Sequence, residues 1–383
     1  MEAIMSNAYD VQQRNPAAPN GAERFGTVVI GAGQTGLALG YHLAKRGQSF
    51  VILDENQRVG DGWRRRYDSL RLYTPAKYDG LPGGRFPAAP YEFPTGKQLA
   101  EYLEGYAAEH RLPVRPRVFV DSVRQTTGEG FVVSAGDQRF EAAQVVVATG
   151  GQHLPFMPHF AADLDPGIRQ IHSSDYRNPS QLLPCDVLVV GASHSGADLA
   201  HEIAGAGHRT TLCGPSRGEI PFDLEGRPAH QIMRVLWFAA NHLLTVRTPI
   251  GRRMQPEVRN EGGPLLRVKA ADLAAAGVER VEGRMLGVRD GRPLLEDGRV
   301  LDVANVIWCT GFRRDFSWID APVLGEDGWP AQHRGVSTTV PGLYFLGLLF
   351  QYAFASMLTG GAGRDAAYVA KHIAARSKQL VAR

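Results

Sequence analysis

TVVIGAGQTGLALGYHLAKRG, residues 27–47, decides the fold. Its first residues are a short apolar run that reads as a buried parallel strand, and its later ones carry Leu and Ala at helical spacing. Between them lie Gly31, Gly33 and Gly36, with Gln34 and Thr35 at the variable positions. Strand, glycine turn and helix in this order are the context a dinucleotide fingerprint needs. The first glycine makes the tight turn, the second lets the backbone approach a pyrophosphate, and the third packs helix against strand. The arrangement recurs in VLVVGASHSGADLAHEIAGAG, residues 187–207, at Gly191, Ser193, His194, Ser195 and Gly196. Two such motifs imply two dinucleotides and electron transfer between them.

Spacing supports an internal repeat of one supersecondary plan. VVVATGG (145–151) and VIWCTGF (306–312) are apolar strands ending at Thr149-Gly150 and Thr310-Gly311. They lie 118 positions after Gly31 and 119 after Gly191, counted to the threonines. Asp-Gly pairs at 290–291 and 297–298 signal hairpins before the second. The rival reading is chance recurrence of a common dipeptide. A chain of 383 residues is long enough for two domains. A net charge of +3 with scattered basic residues gives no case for nucleic acid. Residues 1–24 read as a disordered tail, and the sequence contains no transmembrane segment. Cys185, Cys213 and Cys309 are isolated, which argues against a disulfide framework, a zinc site and a dithiol relay, and fits a cytoplasmic setting.

The acid expected to accept from an adenosine ribose stands 23 residues after Gly31, at Asp54, with Glu55 as the neighbouring alternative. In VGDGWRRRY (59–67), Gly62 and Trp63 form a turn, and one guanidinium, Arg64 first, is placed to meet a pyrophosphate. Trp63 is either core or a wall of the site. Thr74-Pro75 is a loop able to meet a flavin edge. A helix with a Thr95–Gln98 capping box follows, and 117–123 and 131–135 read as strands. Residues 151–158 read as a linker. His172 reads as structural rather than catalytic. MRVLWFAANHLLTV (233–246), followed by Arg247, Arg252 and Arg253, reads as a buried helix; an access lid or membrane-surface patch is the alternative. The strand after the second fingerprint ends without an acid, and Arg217 is the nearby base able to reach a 2′-phosphate. NADPH is therefore the expected coenzyme, with NADH still usable.

Both fingerprints, the Gly-x-Gly-Trp-Arg segment, the two Thr-Gly strands and the His172-Ser-x-x-Tyr176 stretch together resemble the flavin-containing monooxygenases over residues 25–377. LRLYTPAKYDGLPG (70–83) and LGLLFQYAFASMLTGG (346–361) are most similar to short bacterial members and to plant indole-pyruvate monooxygenases. The resemblance implies an α/β protein with two Rossmann-like dinucleotide-binding domains: a discontinuous FAD domain (25–158 and 305–383) with an inserted NAD(P)H domain (159–304). It assigns FAD to Gly31, Gly33, Gly36, Asp54, Trp63, Arg64, Thr74, Val118 and Thr149. NADPH falls to Gly191, Ser193, His194, Ser195, Gly196 and Arg217, with Thr310 and Gly311 near the crossover. Two departures stand out: Pro166 and Ile168 replace the family's signature Phe and Gly, and the Tyr73-Thr74-Pro75 loop lacks the Asn many members carry.

The implied activity is NADPH- and O2-dependent oxygenation of a soft nucleophile (sulfide or amine) or a carbonyl compound through a flavin hydroperoxide. The cofactor carries that chemistry, so no catalytic side chain is singled out. Its rivals are an NAD(P)H oxidase or flavin reductase releasing H2O2, and a flavinated binding protein without turnover. The expected partners are a small-molecule substrate and O2, and a homodimer through 228–262 is compatible with the sequence.

Overall fold

The structure is a computed structural model and describes residues 21–151, 153–226 and 229–382. The expected N-terminal tail lies outside the described residues up to position 20. Its last residues belong to the fold: Glu23 and Arg24 open the first strand, paired with Arg115 and Glu141.

β1 (Glu23–Ile30) runs through the first glycine turn into α1 (Gln34–Ala44) and returns as β2 (Phe50–Leu53), parallel to β1. After α2 (Gly96–Glu109), closed by the expected Thr95–Gln98 capping box, β3 (Val114–Arg115) extends the sheet beside β2. β4 (Ser122–Gln125), β5 (Phe131–Ala135) and β6 (Gln138–Val147) form an antiparallel meander whose last strand continues parallel to β1. The strand expected at 117–123 begins only at Ser122, because Arg117 takes a left-handed turn (φ 61°) that breaks an extended run.

Five parallel strands make a second sheet: β7 (Arg169–His172), β8 (Val187–Val190), β9 (Thr210–Cys213), β10 (Glu279–Val281) and β11 (Asn305–Trp308), ordered β10-β9-β8-β11-β7. The second fingerprint links β8 to α3 (His194–Gly205). The expected break before residue 305 falls one strand early, since β11 belongs to this sheet, hydrogen-bonded to β8 and β7. The Asp290-Gly291 hairpin forms as expected, both residues at positive φ.

The chain then returns to the first sheet. β12 (Leu343–Phe345) pairs parallel with the end of β6, and α4 (Ala362–Val381) packs on α1. Alternation along the strands sends Val29, Ile52 and Val146 toward the helices, where Leu37, Leu39, Leu99, Leu103 and Ile373 meet them. Val28, Val51, Val145 and Phe345 face the opposite layer with Phe131 and Phe140.

The apolar run 233–246 is not a buried helix. It forms the helix Ala229–Phe238 and a π turn, Ala239–Leu243, that leave Val235, Leu236, Phe238 and Leu243 exposed. Trp237 is spent inward, stacked on Tyr78 with ring centroids 4.8 Å apart. Among the described residues, no helix is long and apolar enough to cross a membrane.

Candidate dinucleotide sites

The two fingerprints fold alike, atom for atom in their backbone bonding. Gly31 N–H donates to Leu53 O at 2.7 Å, and Gly191 N–H to Cys213 O at 2.8 Å. Each first glycine turns at positive φ, 106° and 107°. A Cβ on Gly31 would stand 2.7 Å from Ala148 O, and one on Gly191 would overlap Cys309 O, so each turn is pressed against the strand that ends in Thr-Gly. The third glycines, Gly36 and Gly196, leave no room for a Cβ against the carbonyls of Gly31 and Gly191. Helix and strand therefore approach more closely than any side chain permits.

Above the first fingerprint opens a cleft of about 760 Å³. Gly31, Gly33, Gln34, Thr35, Asp54, Glu55, Gly62, Trp63, Val118, Thr149 and Gly150 all line it. Gly33, Gly62 and Gly150 leave open space where a Cβ would be, as a backbone cradle for a large ligand requires. Asp54 Oδ2 accepts from the Ala32 N–H at 2.6 Å, and Oδ1 accepts from Asn56 N and Nδ2. The buried carboxylate thus locks the turn, while exposed Glu55 faces the same cleft. These residues fit an FAD.

Two expected contacts are not brought to the cleft. The Arg64 guanidinium is held by Val59 O at 2.8 Å, Asp61 at 2.8 Å and Glu104 at 2.6 Å, and it is Arg65 and Arg66 that line the cleft. A charge already compensated by two carboxylates is a poor phosphate ligand. Thr74 Oγ1 donates to buried Asp79 Oδ1 at 2.6 Å. Burial pushes the Asp79 carboxyl up to about 7, and its other oxygen has no protein partner.

His153 lines the cleft and was missed by sequence reasoning, because a histidine three residues past a turn carries no spacing signal. Its Nδ1 accepts from the Asp315 N–H at 2.9 Å, which leaves the proton on Nε2 to donate to Gly150 O at 2.9 Å. His172 does the same for the second turn: Nδ1 accepts from the Ser174 N–H, and Nε2 donates to Gly311 O at 3.0 Å. Burial lowers its pKa and keeps it neutral. Its ring braces the second turn. Thr310 Oγ1 bonds Phe156 O, and Phe156 N–H donates to Gly311 O at 2.9 Å, so the supposed linker is a short strand pair holding the second turn.

At the second fingerprint Ser193, His194 and Ser195 sit half-buried at the start of α3, and Arg217 lies four residues beyond β9. Gly214 stands where Asp54 stands in the first motif, so no acid replaces a ribose contact there. Tyr67 and Tyr73, from the first half of the chain, both donate to Asp198 on α3, at 3.2 and 2.6 Å. Arg267 adds bonds to Arg71 O and Leu72 O. Neither tie was legible in the sequence, since its partners lie over 100 residues apart.

The pyridine nucleotide-disulphide oxidoreductase family matches residues 28–222. An uncharacterized CzcO-like oxidoreductase of Geobacillus kaustophilus is 38% identical over 90% of this chain and 97% of its own length. A probable indole-3-pyruvate monooxygenase of Arabidopsis thaliana is 28% identical over 92% of this chain and 87% of its own. A flavin-containing monooxygenase from Stenotrophomonas maltophilia superposes with a TM-score of 0.74 at 26% identity, covering 92% of this chain and 99% of that one. The chain belongs to the flavin-containing monooxygenase family within the pyridine nucleotide-disulphide oxidoreductases. It is a flavin-dependent oxidoreductase of monooxygenase type. Burial pushes Cys213 up to about 11 and Cys309 up to about 12, and all three cysteines are free.

Proposed function

We propose that the first fingerprint's cleft holds FAD, that the second fingerprint takes NADPH, and that the enzyme inserts one atom of O2 into a sulfide, amine or carbonyl substrate. One observation carries this reading. The cleft that begins at Gly31–Gly36 runs on to Ser174 and Phe312, beside the second Thr-Gly turn. A group seated on the first motif would therefore extend toward the second Thr-Gly turn, the direction that hydride transfer between two dinucleotides requires.

Bound FAD supplies hydride acceptance and activation of O2. The chain's own residues supply position. Gly31–Gly36 and the α1 N-terminus would take the pyrophosphate, with Arg65 and Arg66 as its nearby cations, and Glu55 is placed for the adenosine ribose. Trp63, its Nε1 donating to Gln34 Oε1 at 3.4 Å, would close one wall. His153 and His172 hold the carbonyls of the two turns. The overall balance is NADPH, H+, O2 and substrate to NADP+, water and oxygenated substrate. The three isolated, free thiols support a reducing, cytoplasmic setting.

The test follows NADPH, O2 and H2O2 together on FAD-loaded protein with methyl phenyl sulfide and with cyclohexanone as probes. Label from 18O2 in product, with H2O2 below the NADPH consumed, supports the monooxygenase reading. Stoichiometric H2O2 with unlabelled probes favours an oxidase. Flavin reduction without sustained turnover favours a redox-responsive binding protein.

A further inference from the structure

The second fingerprint is covered by its own chain. Glu261-Gly262-Gly263-Pro264 crosses the start of α3, and Ser193 Oγ donates to Gly263 O at 3.0 Å. The fit admits no side chain at its centre. A Cβ on Gly262 would stand 2.9 Å from Ser193 Cβ, and one on Gly263 would stand 2.6 Å from the His194 ring. His194, its pKa lowered by burial, lies directly against Gly263. Downstream, the strap is anchored beside the loop that follows β9: Leu265 N–H donates to Gly218 O at 2.9 Å, and Ile220 N–H to Leu265 O at 3.1 Å. Upstream, the Glu261 carboxylate pairs with the Arg217 guanidinium.

Ser193, the α3 rim and Arg217 are the groups a phosphorylated dinucleotide would use, and the strap engages all three. We propose that residues 261–264 are a latched strap over the second dinucleotide site. Glu261 is the latch on Arg217, and the coenzyme's 2′-phosphate is the ligand group that replaces it. This rests on the reading of the second fingerprint as the NADPH site. Either coenzyme must break the Glu261–Arg217 pair to lift the strap, but only the phosphorylated one has an anion to return to Arg217. The cost of lifting lowers apparent affinity by the fraction of open molecules. The two side chains are 36% and 46% exposed, so the latch is weak and opens readily. Glu261 is thus a residue that sets coenzyme affinity, and Arg217 acts twice, as latch acceptor and as phosphate ligand.

The experiment titrates NADP+ and NAD+ into FAD-loaded protein by calorimetry for the wild type, Glu261→Gln, Arg217→Ala and the double variant. An unaltered flavin spectrum checks the fold of each. Glu261→Gln is expected to tighten both nucleotides about two- to fivefold, the range an exposed ion pair allows. Arg217→Ala is expected to tighten NAD+ similarly yet weaken NADP+ about tenfold. For NAD+ the double variant should gain no more than either single one. Hydrogen exchange read with saturating NADP+ should rise across 261–264 and fall across 193–197. Unchanged affinities in Glu261→Gln, or unchanged exchange in the strap of an NADP+-saturated protein, would overturn the latch alone. Failure of the wild type and every variant to bind either nucleotide would overturn the NADPH reading and the latch with it.

Discussion

The two glycine fingerprints share one backbone and differ in nearly everything laid over it. Beside the first, the residue after β2 is Asp54, whose carboxylate takes the Ala32 N–H and leaves a cleft of about 760 Å³ open above. Beside the second, the equivalent residue is Gly214, whose absent Cβ would sit 3.0 Å from Ala192 N, and a strap of the chain lies across the helix start. Glycine spacing sets where a phosphate can go, because only a missing Cβ lets strand, turn and helix close to that distance. The residue after the second strand and the overlying loop then set which dinucleotide comes and at what cost.

The most disruptive way to break the comparison is to fill each third glycine. Gly36→Ala puts a Cβ into the Gly31 carbonyl and Gly196→Ala into that of Gly191, so neither helix can keep its place. Gly36→Ala is expected to purify without FAD. Gly196→Ala is expected to keep its flavin and lose reduction by NADPH, both read from the visible spectrum. If Gly196→Ala also lost its flavin, the two motifs would not be independent sites.

The comparison sharpens with pH, because the two halves carry buried groups of opposite sense. Asp79, in the first half, titrates near 7 when folded against an ordinary 3.8, so the unfolded chain releases its proton first and stability falls as pH rises from about 4 to 7. The loss reaches about 4 kcal/mol above pH 7, at about 1.4 kcal/mol per unit of displacement. Asp79→Asn should abolish it in urea unfolding series at pH 5 and pH 8. His172, behind the second turn, is neutral when folded with its pKa lowered. The unfolded chain therefore takes up a proton below about 6.5, and stability falls as pH drops through that value. His172→Ala removes one of the two donors to the Gly311 carbonyl, for about 1 kcal/mol, and should remove this acid-side slope. NADP+ affinity should fall while flavin content holds. The smallest change is expected from Tyr73→Phe, which removes one donor to Asp198 between the halves. A loss of about 1 kcal/mol in thermal or urea unfolding, with both dinucleotides still bound, would place that contact in the scaffold.

Local residue order alone carried much of this. The paired fingerprints, the Thr-Gly strands, the capping box and the Asp-Gly hairpin are short-range signals whose physics is complete within a few residues, and each sits where its spacing puts it. The absence of an acid after β9 was legible for the same reason. Arg64 shows the limit: three consecutive arginines look equivalent in a sequence, and Glu104 on a separate helix decides which of them is spent. Thr74 turns from the cleft because Asp79 is buried beside it, and the 233–246 run divides between Met233 and Trp237, turned inward against aromatic rings, and Val235, Leu236, Phe238 and Leu243, left exposed.

The sequence by itself determined that this chain builds two dinucleotide-binding units and belongs to a flavin-dependent class, since glycine conformational freedom and strand–helix periodicity act through neighbouring residues. Only the tertiary structure decided that β11 joins the second sheet and that His153 and His172 each brace a turn. It also decided that Tyr67 and Tyr73 reach Asp198, and that Glu261 finds Arg217 across 44 positions. Those contacts depend on which distant segments the packed core brings within hydrogen-bond reach, and no local pattern encodes that distance.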